Sequence, residues 1–498
     1  MTDLLLFWLP LAVVMVSAVA GAGIFVAGED RQRLRTTLNL LAAVAKLALV
    51  AWMALFVIGG QAPEFRFALL PGLDLVLRAD GFSMLFATLS ATLWLVTTVY
   101  AVAYLERGTD RARFFGFFSL CVTATMGIAM AGNLLTFFVF YELLTLTTWP
   151  LVIHKGTREA FAGARSYLAH TLSASAVFLV GMVWLYALTG PQDFVTGGTV
   201  SAVAAEHPLA ATGVFVLLVI GMGVKAALFP LHSWLPLAMV APAPVSALLH
   251  AVAVVKAGAF GLVRVVEDVF GPAVVASLGL NLPLVLLAGF TIVYGSVLAV
   301  AQTDIKKRLA YSTVSQVSYI ALGIAIGGPI ATIGGIVHLV HQGLMKITLF
   351  FGAGIYGNLL GITKIHQLDG VGRRLPWTSF AFTLAALGMI GLPPVAGFVS
   401  KWYLGAGAVA VGMDWVIGIL VASTLLNAMY FLPVIQRIWL RPTPDAWPNE
   451  ATVSRLEVVG MVGSTVLTAL LALAVGVFSG HPLSPLNWAA GIVAGYYP

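Results

Sequence analysis

Four lysines in this sequence sit where a charge is expensive. Lys225, Lys256, Lys346 and Lys401 each lie in a long apolar run, with His250, His338 and His341 among them and a single deep carboxylate, Glu142. At mid-depth in a bilayer an ammonium costs at least about 2.5–3.5 kcal/mol on insertion scales, so a resident lysine faces a polar interior. One lysine could reach back to the interface on its own stem; several in one chain make that a poor account. Buried lysine can give up its proton, and histidine exchanges one near neutrality. The chemistry of such a row is proton or cation movement. An intramembrane hydrolase or transferase would need converging acids, a serine–base pair or metal ligands, and only one carboxylate lies deep.

Proline and glycine interrupt the chain beside two of these lysines. Pro230 follows Lys225 in GVKAALFPLHSWLP, and Pro393–Pro394, flanked by Gly391 and Gly397, precedes Lys401 in GLPPVAGFVSKWYL. Proline in a helix removes a donor and displaces the carbonyl four residues back. Backbone freed in this way is tolerated at membrane depth only inside protein or beside water. A broken helix with a charge at the break marks an ion path, and one break in each half points to an inverted repeat. The order differs: proline follows the lysine in the first half and precedes it in the second.

The elements that must carry these groups are transmembrane helices. Of 498 residues, 60% are hydrophobic and 9% charged, against about 25% charged in soluble domains. The expectation is an all-α polytopic membrane protein. Apolar runs predict fourteen spans, near 4–27, 37–59, 82–105, 113–131, 133–153, 164–189, 211–230, 244–266, 283–302, 308–326, 330–357, 378–408, 414–436 and 455–479. MTDLLLFWLP has no basic stretch ahead of its apolar run and reads as the start of a first span. Residues 1–110 hold helices 1–3, 111–268 a first five-helix repeat (helices 4–8), 280–440 a second (helices 9–13), and 450–498 helix 14 and a tail. Helices 7 and 12 are expected to be discontinuous. The connections at 60–81 and 190–210 read as short Gly/Pro-punctuated loops.

Basic residues follow odd-numbered spans: Arg31, Arg33, Arg35; Arg107, Arg111, Arg113; Lys155, Arg158, Arg165; Lys306, Lys307, Arg308; Lys364, Arg373, Arg374; and Arg437, Arg441, Arg455. Only Arg66 and Arg78 follow even ones. The positive-inside rule then puts the odd loops in the cytoplasm and both termini outside. The net charge of +6 is topological, and nucleic-acid binding is set aside.

Glu142 would hold its proton if left alone in the membrane, so a pair with a buried ammonium is the cheaper arrangement; Lys225 is the expected partner, with Thr145 one turn on adding a hydroxyl. His250 and Lys256 are six residues apart. On a continuous helix that is about 9 Å and about 240° of rotation, which needs water or the lysine stem to bridge. His338 and His341 share a face, with Lys346 following; no third ligand accompanies the two histidines, so no metal site is expected. Arg264 with Glu267 and Asp268 reads as an interfacial pair. His170 reads equally as a packing residue or a relay member, and Lys46 as a structural or subunit-contact residue. Cys121 is a small core residue, and no disulfide or cluster can be built on it within this chain. The Gly352–Gly354 string lies in a span and reads as helix packing.

Several stretches carry a resemblance: FFVFYELLTLTTWPL around Glu142, GVKAALFPLHSWLPLA, APAPVSALLHAVAVVKAGAF, DIKKRLAYSTVSQVSYIALG and GLPPVAGFVSKWYL. Together they resemble the antiporter-like subunits of Mrp-type cation/proton antiporters and of respiratory complex I and membrane-bound hydrogenases. The resemblance implies fourteen helices with two inverted five-helix repeats and a hydrated mid-membrane axis. It also implies a switching pair in Glu142 and Lys225, a central relay in Lys256, a terminal exchange residue in Lys401, and supporting groups in His250, His338, His341 and Lys346. Lys401 looks like the D-type subunit of the antiporters and like some complex I subunits. The implied function is proton translocation in a multisubunit Na⁺/H⁺ antiporter; the alternative is the same role in complex I, a hydrogenase or a carbon-uptake complex. Other membrane subunits, H⁺ and Na⁺ or K⁺ are the implied partners, with no cofactor and no redox chemistry in this chain, in a bacterial inner membrane.

Overall fold

Thirteen helices among the described residues are long and apolar enough to cross a bilayer. The structure, a computed structural model, describes residues 2–105, 108–450 and 454–497; Arg107, counted above toward the inner face, lies outside them. In order the thirteen are Leu4–Ala27, Gln32–Ile58, Gly81–Tyr104, Arg111–Ala129, Leu134–Val152, Arg158–Thr189, Pro208–Lys225, Ala243–Phe270, Asn281–Ala301, Ile305–Ile326 and Pro329–Leu360, then Val416–Leu440 and Glu457–Val477. Two fifteen-residue helices, Pro376–Ile390 and Ala396–Ala410, stand between the last two groups. They are the halves of a broken twelfth span, so the chain makes the fourteen crossings its sequence predicts.

Position in the bundle follows from which faces are covered. The eighth and eleventh spans are buried along their whole apolar cores, whereas the second, thirteenth and fourteenth expose most of theirs at the rim. The two buried spans carry His250, Lys256, His338, His341 and Lys346. The polar row therefore runs through the centre of the molecule, away from the lipid-facing surface.

Breaks occur where the sequence placed them, and at one further point. The seventh span ends at Lys225 and resumes as Trp234–Leu237 and Ala238–Val240. Ala227, between these pieces, has φ +56°, a left-handed conformation that costs a non-glycine residue roughly 1–2 kcal/mol. In the twelfth span the turn falls on Gly391, at φ +98°. The eighth span, expected as one continuous helix, is instead interrupted between Ala243–Ala251 and Val254–Val263. There Ala253 N–H donates to Leu248 O five residues back, at 2.9 Å. A last wide π-type turn, Arg264–Phe270, ends the span. The 9 Å and 240° relation between His250 and Lys256 accordingly does not hold.

Outside the bundle, Glu64–Leu70 and Leu73–Arg78 pair as an antiparallel hairpin around Pro71–Gly72, in place of the irregular loop expected at 60–81. Arg66 and Arg78, the two basic residues of even-numbered loops, serve this hairpin. Arg66 pairs with Glu64 and Asp74, both at 3.0 Å, and with Asp193; Arg78 pairs with Glu64 at 2.7 Å and Asp193 at 2.9 Å. The tail forms a helix, Pro485–Tyr496, against the third and eleventh spans.

Candidate ion-translocation site

At the seventh-span break the ammonium of Lys225 is fully buried and donates to the backbone carbonyl of Tyr141. It sits 3.3 Å from the centre of the Tyr141 ring, a cation–π contact strengthened by desolvation. Tyr141 is itself fixed, its hydroxyl donating to Gly221 O at 2.9 Å. Thr145 shares the same Tyr141 carbonyl at 3.3 Å. Glu142, the next residue, turns its carboxylate to Ser175 of the sixth span, whose hydroxyl donates to it. The charge of Glu142 acts on Lys225 through space, but the ammonium is bonded to the peptide ahead of Glu142 and not to its carboxylate. Backbone freed by the break is satisfied locally: Val224 O accepts from the Trp234 indole at 2.8 Å, and Phe229 N–H donates to Thr291 at 3.1 Å.

A different arrangement holds Lys401. Its ammonium donates to Met389 O at 3.2 Å, Ile390 O at 2.8 Å and Thr424 Oγ1 at 3.3 Å. The two carbonyls end the first half of the twelfth span, the negative pole of a helix. Gly391 turns at φ +98°, where an L side chain is strained, and a Cβ there would lie 2.8 Å from the flexible lysine stem.

Between the two breaks lie the remaining groups. Lys256 is fully buried and its Nζ has no hydrogen-bond partner among the described residues, as is true of both ring nitrogens of His250. The amide groups of Gln316 and Gln342 are equally buried and unpartnered. Lys256 acts electrostatically on His338, His341 and Lys346. His338 Nδ1 lies 2.8 Å from Ser400 Oγ and its ring 5.2 Å from Tyr319; His341 faces the Ala396 backbone at the start of the second half-helix. His250 falls in the field of Lys346 and Lys306, its ring 4.5 Å from Phe350. Lys346 donates to Ser312 Oγ at 2.6 Å and Leu309 O at 3.2 Å. Buried polar atoms without protein partners are, as a rule, satisfied by water.

Other residues singled out by the sequence fall elsewhere. Arg264 pairs with Asp268 at 2.7 Å in the last turns of its span, as expected, and also with Asp80 at 2.8 Å; it is 2% exposed, covered by the chain itself. Asp80 comes from the third span's start, which sequence spacing could not supply. His170 joins Ser166 O at 2.8 Å to Ser233 Oγ at 2.9 Å, tying the sixth span to the seventh-span break. Lys46 is buried within the chain's own helices, bonded to Ser17 and 5.1 Å from the Trp94 ring, which rules out a subunit contact for its side chain. Cys121 is buried, its sulfur 3.2 Å from Thr148 Oγ1.

Residues 131–427, which hold both breaks and the row between them, match the family model described as NADH:quinone oxidoreductase/Mrp antiporter, TM. The chain belongs to this family. Among relatives, it is 37% identical over 393 residues to NADH-quinone oxidoreductase subunit N of Desulforudis audaxviator (strain MP104C), covering 77% of each. It is 28% identical over 385 residues to the D subunit of the Na(+)/H(+) antiporter of Bacillus subtilis (strain 168), again 77% of each. Among solved structures, a chain of the Mrp complex from Dietzia sp. DQ12-45-1b superposes with a TM-score of 0.87 at 25% identity, over 99% of this chain and 98% of that one.

Within this member of the NADH:quinone oxidoreductase/Mrp antiporter family, several working contacts escape sequence reasoning. Ser175, Ser312, Thr424, Asn427 and Tyr430 are ordinary polar residues in apolar helices, and only helix packing brings them to a charge. Lys306, an inner-loop charge by its place in the sequence, turns its ammonium inward to Ala241 O at 2.5 Å. A lysine opening a span, rather than sitting mid-loop, is the available signal.

Proposed function

We propose that this chain is a proton-translocating subunit of a multisubunit monovalent-cation/proton antiporter, of the D type, working beside other membrane subunits. The observation that carries this is a set of interior groups, Lys225 at the first break, Lys256 and the histidines between, and Lys401 at the second, with unpartnered polar atoms among them. Water at those atoms would let the groups exchange protons. Glu142 and Lys225 form the switch. While the carboxylate is charged and near, it favours a charged Lys225; when the two separate, the lysine passes its proton toward Lys256. Lys346 and the histidines hand on to Lys401, and each transfer changes the field at the next site. The matched breaks support two inverted repeats, residues 111–268 and 280–440, and the distribution of basic loops supports termini on the outer side of a bacterial inner membrane.

A second reading keeps the mechanism and changes the driver: a redox-driven complex in which another subunit supplies the energy. The 37% identity to a quinone oxidoreductase subunit favours it. Inverted vesicles holding the native complex separate the two. Dissipation of a preset ΔpH on adding Na⁺ or K⁺ marks the antiporter, and acidification on adding an electron donor marks the redox-driven pump. In either host, Glu142→Gln is expected to stop proton movement without loss of assembly; movement at the parental rate rejects the mechanism.

A further inference from the structure

Lys346 and Lys401 are tied together by a path that does not pass through the histidines. Lys346 donates to Ser312 Oγ at 2.6 Å. Tyr430, on the thirteenth span, has its hydroxyl 2.9 Å from Ser312 Oγ and 2.5 Å from Asn427 Oδ1. Asn427 Nδ2 donates to Met389 O at 3.1 Å, the same carbonyl that accepts from Lys401 at 3.2 Å. Ser312, Tyr430 and Asn427 are all fully buried.

Donor accounting gives this path a direction. The Met389 carbonyl only accepts, so the amide nitrogen of Asn427 faces it and the amide oxygen faces Tyr430. An amide oxygen also only accepts, so Asn427 Oδ1 and Ser312 Oγ are two acceptors competing for the single phenolic proton. A charged Lys346 donates into a serine lone pair and leaves the phenolic proton with Asn427. A neutral Lys346 can accept from Ser312, which frees that lone pair to draw the phenolic proton away from Asn427.

We propose that Tyr430 and Asn427 are positioning residues that close a hydrogen-bonded circuit between Lys346 and the Lys401 cage, through which the protonation of one lysine is felt at the other. This rests on the translocation reading above. The amide of Asn427 passes no proton, so this branch carries orientation and field while protons move on the histidine side. The titratable groups facing the circuit are Lys256 and His250 beside Lys346, Arg308 and Tyr319 beside Tyr430, and Tyr319 and His338 beside Lys401.

The test measures proton flux against pH in vesicles carrying the whole complex. Tyr430→Phe keeps the ring, which packs on Phe431 at 4.6 Å, and removes only the hydroxyl. It is expected to assemble, to lower maximal flux roughly ten-fold and to displace the pH profile by about one unit, the scale of one charge-assisted hydrogen bond. Ser312→Ala should do the same, and Ser312→Thr should return the profile toward the parent's, which a purely structural role would not do. Profiles of Tyr430→Phe and Ser312→Ala that superimpose on the parent's overturn the circuit. Glu142→Gln in the same membranes tells the two failures apart. Flux surviving there sinks the translocation reading, whereas flux lost there and unchanged in Tyr430→Phe sinks only the circuit.

Discussion

The two broken spans solve one electrostatic problem in opposite chain order. Lys225 is in the last turn of its own half-helix, so the carbonyl end of that helix lies beneath it. Lys401 belongs to the second half of its span and reaches back to the carbonyls that end the first. The Lys401 ammonium therefore sits at the negative pole of an interrupted helix, whereas that of Lys225 leaves its own half-helix for the Tyr141 carbonyl and ring of the fifth span. The surroundings differ more than the principle. Lys225 is sealed, with one carbonyl, an aromatic face and an acid nearby; Lys401 is partly exposed, with two carbonyls, a hydroxyl and no acid bonded to it. In the proposed mechanism the closed site with a nearby acid is the switch, and the half-open carbonyl cage is the point of exchange.

Arginine at each lysine is the harshest probe of that contrast. Neither arginine releases a proton, so both variants should lose transport. Lys225→Arg must also fit a planar group against the Tyr141 ring in a closed pocket, an overpacking cost of about 1–3 kcal/mol, and should reduce the yield of assembled complex. Lys401→Arg should assemble at parental yield. Equal yields on size-exclusion chromatography would put the two sites on the same footing. A smaller effect is expected from partners. Tyr141→Leu, which removes the ring under Lys225 and a buried hydroxyl, should cut flux roughly ten-fold or more, at about 2 kcal/mol for a desolvated cation–π contact. Thr424→Val leaves Lys401 its two carbonyls and should cost no more than about five-fold, since a single neutral hydrogen bond nets about 1 kcal/mol or less. The turns are read through stability and not through flux. Gly391→Ala adds a Cβ at positive φ against the lysine stem and should destabilise by about 1–3 kcal/mol. Ala227→Gly relieves a left-handed alanine and should be neutral to about 1 kcal/mol stabilising; thermal unfolding of the complex reads both.

Local signals are legible in the sequence, and long-range ones are not. Span count, both proline breaks and the buried charges follow from hydropathy and from residues that cannot continue a helix. The eighth-span interruption falls in Ala251–Val252–Ala253–Val254, which contains neither proline nor glycine; tertiary packing imposes it. The hairpin at Glu64–Arg78 has a readable sign, two strand-like runs joined by Pro71–Gly72, masked by its setting as a short loop between helices. Glu142 and Lys225 are matched in the sequence by charge alone. Sequence carries no information on the rotation of one helix against another, and that rotation gives the ammonium to the Tyr141 carbonyl and the carboxylate to Ser175. The same ignorance hides Tyr430, Asn427 and the partner of Arg264.

Lys256 offers the most direct test, being a deep ammonium between the breaks with no hydrogen-bond partner among the described residues. Lys256→Met keeps the length of the side chain and removes the charge. Proton flux in vesicles bearing the intact complex is expected to fall to background while thermal stability holds or rises, because an unpaired buried charge is costly to fold around. Parental flux from Lys256→Met would contradict a proton path through the centre of this chain.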